Sequence, residues 1–142
     1  MTIKIKSRHL KNIIAHSKKE WPIEACGILA GKIRDTEGDF VKEVSKVYSC
    51  RNELNSPTAY RIEAEQQLKI FREIEELSLD LIGFYHSHTS THHSLSRPSQ
   101  IDKKRANYYG CSYVIITLYP IDVSSWVLEK KGVFKEERIN EI

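Results

Sequence analysis

His86 and His88 flank Ser87 where the apolar run Leu81 to Tyr85 ends. Alternate residues of an extended strand share a face, so both imidazoles project to one side and Ser87 to the other. Downstream, Pro98-Ser99-Gln100-Ile101-Asp102 brings a carboxylate. Two histidines and a carboxylate, with a fourth position left to water, are a donor set suited to a catalytic zinc ion. Taken alone, such a pair is more often a plain core or solvated pair. Its position argues otherwise: a buried strand opens here into a polar loop, where a site needs its ligands.

Ser99 and Asp102 have a structural role of their own. A serine followed three residues later by an acidic residue resembles a capping box, favourable with the helix dipole. A helix start is also a rigid place from which Asp102 could offer an oxygen to a metal and Ser99 a hydroxyl to a developing oxyanion. The two roles are compatible. Glu24 is the remaining candidate. It directly precedes the apolar segment Ala25 to Gly31, and a carboxylate at the mouth of such a strand is partly desolvated. That raises its pKa toward the range of a general base.

The elements that must carry these groups follow from the pattern. Ile3 and Ile5 alternate with polar residues as a short strand. Ser7 is placed to cap a helix running to about Glu20, with Leu10, Ile13 and Ile14 on one face and Pro22 closing it. Glu24 to Lys32 reads as a buried strand whose two glycines permit close backbone approach. A turn at Arg34 to Asp39 leads to a strand over Phe40 to Cys50, its valines imperfectly alternating. Glu63 to Ser78 is amphipathic, with Leu68, Phe71, Ile74 and Leu77 at helical spacing. Asp80 to His86 is a strand, Thr89 to Arg97 a loop, and Ser99 to about Tyr108 a short helix. Strands follow at Ser112 to Tyr119 and Ser125 to Lys131, and the tail from Glu136 reads as edge or frayed. Tyr108, Tyr109 and Tyr113 read as core and strand residues.

At 142 residues the chain is long enough for one domain with a real core. Its 40% hydrophobic and 29% charged residues are those of a globular protein. The net charge of +3 comes from interspersed residues, so no nucleic-acid footprint is indicated. No apolar run approaches the roughly 18 residues of a membrane span, and no secretory segment opens the chain. A cytoplasmic protein is expected. Cys26, Cys50 and Cys111 are odd in number and form no CxxC pair. That argues against a disulfide framework and against a cysteine-rich zinc site. Nothing near Cys26 marks it as an activated nucleophile.

Taken together, Glu24 before a glycine-containing apolar strand, then His86-Ser87-His88, then Ser99-x-x-Asp102 resemble the JAMM (MPN-plus) metalloproteases of prokaryotic type. Pro22 to Gly27, Tyr60-Arg61-Ile62 and Gly83-Phe84-Tyr85 extend the resemblance over nearly the whole chain, residues 1–142. The resemblance implies an α/β fold, a mixed curved sheet flanked by helices and similar to that of cytidine deaminases. It implies His86, His88 and Asp102 as zinc ligands, Glu24 as general acid/base and Ser99 at the oxyanion. The implied reaction cuts a peptide or isopeptide bond after the C-terminal glycine of a ubiquitin-like or sulfur-carrier protein, with no nucleic acid or membrane as partner. The sequence leaves the oligomeric state and the particular carrier open.

Ten residues, Thr89 to Pro98, separate His88 from Ser99, more than the family pattern has. Strict spacing would put Ser99 where the aspartate belongs, and serine is a poor zinc ligand. The intact Pro-Ser-x-x-Asp run instead places an insertion in the loop and keeps Asp102. The lengthened loop carries His92 and His93, which could be exposed, touch substrate or compete for metal. Thr89, where the deubiquitinating branch usually has proline, looks more like the bacterial members acting on sulfur carriers. A zinc deaminase would need His-x-Glu with Pro-Cys-x-x-Cys, and neither occurs. A catalytically inactive scaffold of the same fold is the alternative, and would be expected to have lost ligands that this chain keeps.

Overall fold

The computed structural model describes residues 1–89 and 95–142. Seven strands and three helices follow in the order β1 (Thr2–Ile5), α1 (Ser7–Glu20), β2 (Cys26–Thr36), β3 (Asp39–Cys50), α2 (Ala64–Glu76), β4 (Asp80–Ser87), α3 (Gln100–Arg105), β5 (Ser112–Leu118), β6 (Ile121–Lys130) and β7 (Val133–Glu141). The sheet is mixed and closes on itself in the order β1-β3-β2-β4-β5-β6-β7. Strand β1 runs parallel to both β3 and β7, and β4 parallel to β5. No described helix is long and apolar enough to cross a membrane.

Alternation sorts the apolar side chains into two clusters. Leu29, Tyr85 and Val114 join Leu10 and Ile13 of α1, whereas Ile28, Phe84 and Tyr113 join Ile70 and Ile74 of α2. Central strands buried on both faces read as continuous apolar runs, as β5 does along its whole length. Two bulges adjust the central strands. Ser45 is the extra residue of β3 opposite Ala30 and Gly31, and Ile82 the extra residue of β4 opposite Leu29 and Ala30. The first explains the broken valine rhythm, since Val44 and Val47 reach the same cluster three positions apart. The glycines of β2 do permit close approach: a Cβ on Gly27 would overlap the Tyr85 ring, and one on Gly31 the Glu43 carbonyl.

Several local expectations are corrected. The tail is neither edge nor frayed. Strand β7 pairs with β6 on one side and β1 on the other, closing the sheet and satisfying its backbone groups. Ser7 is the first helical residue, not the cap. Lys6 holds that position without a side-chain bond, and Ser7 Oγ instead donates to the Glu141 carboxylate at 2.6 Å. On α2 the buried face is Ile70 and Ile74, while Leu68 and Leu77 are half exposed. Helix α3 stops at Arg105, short of Tyr108, and Tyr109 is exposed rather than core. Strand β6 starts four residues early, at Ile121, and β2 starts two residues late, at Cys26. The late start matters, because Glu24 is thereby freed from the sheet and held by the neighbouring loop.

Candidate metal centre

His86 keeps the face of Phe84, two residues before it, and points toward the α2 side, where the ring of Tyr60 stacks on it at 4.7 Å between centroids. His88 lies just past β4, its backbone N–H donating to Ile116 O at 2.8 Å. Asp102 arrives from the first turn of α3. The expected capping box is present: Ser99 Oγ accepts from the Asp102 N–H at 3.0 Å, and Asp102 Oδ2 accepts from the Ser99 N–H at 2.9 Å. Closing that box rigidly aims Oδ2 at both imidazoles.

The three donor atoms converge. His86 Nε2 and His88 Nε2 lie 3.2 Å apart, and Asp102 Oδ2 lies 3.1 Å from the first and 3.0 Å from the second. Ligands about 2.0–2.1 Å from a tetrahedral zinc ion would be about 3.3 Å from one another, so the triangle has nearly that size. Its chemistry fits a cation too. His88 Nδ1 faces the Leu95 carbonyl at 3.3 Å, and a carbonyl oxygen can only accept, so Nδ1 carries the hydrogen. Unless the ring takes a second proton, Nε2 then presents a lone pair to a carboxylate oxygen. A metal ion resolves that meeting of acceptors. All three side chains are at least nine-tenths buried, and they form a group able to hold a metal.

Charge is distributed unevenly around this point. Burial alone would push Asp102 up, but the proximity of the His86 and His88 rings and the bond from the Ser99 N–H outweigh it and hold the carboxyl well below the usual carboxylate range. Glu24 behaves oppositely. It is 3% exposed, and burial, reinforced by the Asp102 charge, pushes its pKa up to about 9. Its Oε1 has no hydrogen-bond partner among the described residues. Glu24, His88 and Ser99 line one cleft of about 580 Å³, bounded by Pro57, Leu95 and Ile101.

Two residues that the sequence did not single out hold Glu24 there. Ser87 accepts from the Ala25 N–H at 2.8 Å through Oγ and donates its own N–H to Ala25 O at 3.0 Å, tying the segment after Glu24 to the strand that carries the histidines. The buried Asn52 donates to Glu24 O at 3.1 Å and to Ala59 O at 3.0 Å, while its Oδ1 accepts from the N–H groups of Leu54 and Arg61. For Ser87 the signal was its place between two candidate ligands. Nothing in the sequence marked Asn52. His92 and His93 lie outside the described residues. Cys26 and Cys50 face each other across β2 and β3 as free thiols. Burial pushes Cys50 up to about 12 and Cys26 up as well, so neither is an activated nucleophile.

Comparison with known proteins identifies the family. A family model described as prokaryotic homologs of the JAB domain matches residues 6–129. CysO-cysteine peptidase of Mycobacterium tuberculosis H37Rv is 35% identical over 105 residues, covering 74% of this chain and 66% of that protein. The chain thus spans just under two thirds of that relative. Desampylase of Haloferax volcanii is 32% identical over 109 residues, covering 73% of this chain and 72% of that protein. The solution structure of a Desulfitobacterium hafniense protein superimposes with a TM-score of 0.83 at 29% identity, covering 99% of this chain and 92% of that one.

Proposed function

The chain belongs to the prokaryotic JAB family, and from that premise we propose that it is a zinc-dependent peptidase of JAMM type. Residues 1–142 would form one catalytic domain, its curved sheet set between helices as in the MPN and cytidine-deaminase folds. Its substrate is a ubiquitin-like or sulfur-carrier protein, cut at the peptide or isopeptide bond after the C-terminal glycine. The observation that carries the reading is the convergence of His86 Nε2, His88 Nε2 and Asp102 Oδ2 beside the buried carboxylate of Glu24, whose Oε1 has no hydrogen-bond partner among the described residues. Relatives named as a CysO-cysteine peptidase and a desampylase support the substrate class.

His86, His88 and Asp102 would hold the zinc ion. When bound, zinc supplies a Lewis acid that acidifies water and polarises the scissile carbonyl. Glu24 accepts the proton of the attacking water and later gives it to the leaving amine, so no covalent intermediate is needed. With a cation held beside it, Glu24 would titrate below its metal-free value and so be competent as a base. Ser99 donates its O–H to the oxyanion. One of its lone pairs is engaged by the Asp102 N–H, which orients the hydroxyl and leaves its hydrogen to donate. The apolar rim of the cleft excludes water from the peptide that threads it.

The test offers the purified protein a ubiquitin-like carrier with an amino acid amide-linked to its terminal glycine, and a second carrier linked to a lysine side chain. Intact-mass spectrometry should show loss of at least one adduct, stopped by chelator and restored by zinc. Zinc-loaded protein that leaves both adducts intact overturns the reading.

A further inference from the structure

The geometry points to a clamp on β6, made by Asp122, Ser124 and Trp126, that positions the metal ligand His88 through the backbone of Leu95 and Ser96. The inference rests on the metal reading of His88 given above.

Ser96 is the hub. It is 5% exposed, although its neighbour Leu95 is 54% exposed. Its hydroxyl donates to Asp122 Oδ2 at 2.7 Å. Its carbonyl accepts from the Trp126 indole N–H at 2.9 Å and from the Ser124 hydroxyl, and the indole N–H also reaches Ser124 Oγ at 2.8 Å. One residue of a polar loop is therefore gripped at side chain and backbone by three side chains of a single strand. Such a grip is more than loop closure requires, and it fixes the peptide that precedes it.

That peptide ends in the Leu95 carbonyl, 3.3 Å from His88 Nδ1. A partner on the second ring nitrogen sets which nitrogen keeps the hydrogen and how the ring is turned, and so decides whether Nε2 faces the metal. Both ends of the link rest on the same sheet. His88 is tied to Ile116 of β5, and Ser124 and Trp126 are paired with Ile115 and Tyr113 of β5. The path from β6 through Ser96 and Leu95 to His88 thus spans one strand. The long loop places its carbonyl by this anchor at its far end, rather than by being short.

The experiment compares wild type with Asp122→Ala, Asp122→Asn and Trp126→Phe, each stripped of metal and then titrated with zinc against a chromophoric chelator. The visible spectrum of the cobalt-substituted protein is recorded in parallel. Asp122 is exposed, so its replacement should leave the fold intact, which the melting temperature of the metal-free variants checks. Removing one partner of a ligand's support costs metal affinity about tenfold or more. The expected result is a loss of that order in Asp122→Ala and Trp126→Phe, with an altered cobalt spectrum. Asp122→Asn, which still offers Ser96 an acceptor, should return to within about threefold of wild type on the same scale. Unchanged zinc affinity and cobalt spectrum in both Asp122→Ala and Trp126→Phe overturn the clamp while leaving the metal reading intact. A wild-type protein that binds neither ion overturns both.

Discussion

Among the described residues, two buried clusters that contain carboxylates are built on opposite plans. In the first, Lys42 of β3 and Glu137 of β7 meet at 3.5 Å, with side chains 4% and 0% exposed. Lys42 Nζ donates to Ser112 Oγ at 2.7 Å, and Glu137 Oε1 accepts from the Ser112 and Ser125 hydroxyls. One positive charge faces one negative charge: two hydroxyls satisfy Glu137 Oε1, and Oε2, which has no hydrogen-bond partner among the described residues, faces the Lys42 ammonium. In the second, His86, His88, Asp102 and Glu24 bring together lone pairs and carboxylates, and among the described residues no lysine or arginine is within ion-pairing distance of them, although Arg97 lines the same cleft. Burial is common to both. Imbalance is found only in the second, and imbalance marks a place that stabilises something from outside.

The largest expected effect breaks the second cluster without emptying it. Glu24→Gln keeps the shape and the three converging donors but cannot shuttle a proton. It should lower kcat on the carrier adduct by about 10²–10⁴-fold, the usual contribution of a positioned acid/base. Zinc stoichiometry, measured by elemental analysis, should stay that of wild type. Activity near wild type would remove Glu24 from the chemistry.

The first cluster should respond in stability rather than in metal binding. Glu137→Ala leaves the Lys42 ammonium buried without its counter-charge, a loss of about 3–5 kcal/mol by comparison with other broken buried pairs. Replacing both members, as in Lys42→Met with Glu137→Leu, should recover most of that loss in chemical denaturation. Zinc affinity should not change in the double variant. If the double variant were as unstable as Glu137→Ala, the pair would be supporting the closure of the sheet by more than charge balance.

The two clusters also differ in how far the sequence discloses them. The second rests on local spacing: two histidines two apart, a serine three residues before an aspartate, a glutamate at the start of an apolar segment. Strand periodicity and helix capping convert such spacings directly into shared faces and aimed oxygens, so the sequence alone suffices to name the candidate residues. The first cluster depends on four strands meeting, β3, β5, β6 and β7, and Lys42 and Glu137 look like ordinary surface charges in sequence. The same limit hid β7 itself, whose charged residues imitate a frayed tail until β1 and β6 are seen to pair with it. Asn52, the Ser87 tether and the grip on Ser96 are likewise contacts between distant segments, carried by no periodicity. The mixed α/β character was readable because apolar runs and amphipathic helices are local. Closure of the sheet is a property of pairing and was not.

The finest distinction between the clusters is their response to pH in the metal-free protein. Glu24 is shifted upward when folded, to about 9, from an ordinary 4.5, so the folded chain holds a proton that the unfolded chain releases. Its contribution to stability is complete below 4.5 and is lost progressively as pH rises toward 9. Asp102 is shifted downward, so its contribution is complete above its ordinary 3.8 and is lost only as pH falls below it. Between roughly pH 5 and 9, therefore, Glu24 alone of the two makes the metal-free protein less stable with rising pH, at no more than about 1.4 kcal/mol per unit. Denaturation of wild type and Glu24→Gln across that range, with metal stripped from both, isolates the contribution, since every other titrating group is common to the two proteins. The difference should favour Glu24→Gln increasingly as pH rises. Parallel profiles would mean that the Glu24 carboxylate is solvated in the metal-free protein, and the imbalance that separates the two clusters would then lie with the histidines and Asp102 alone.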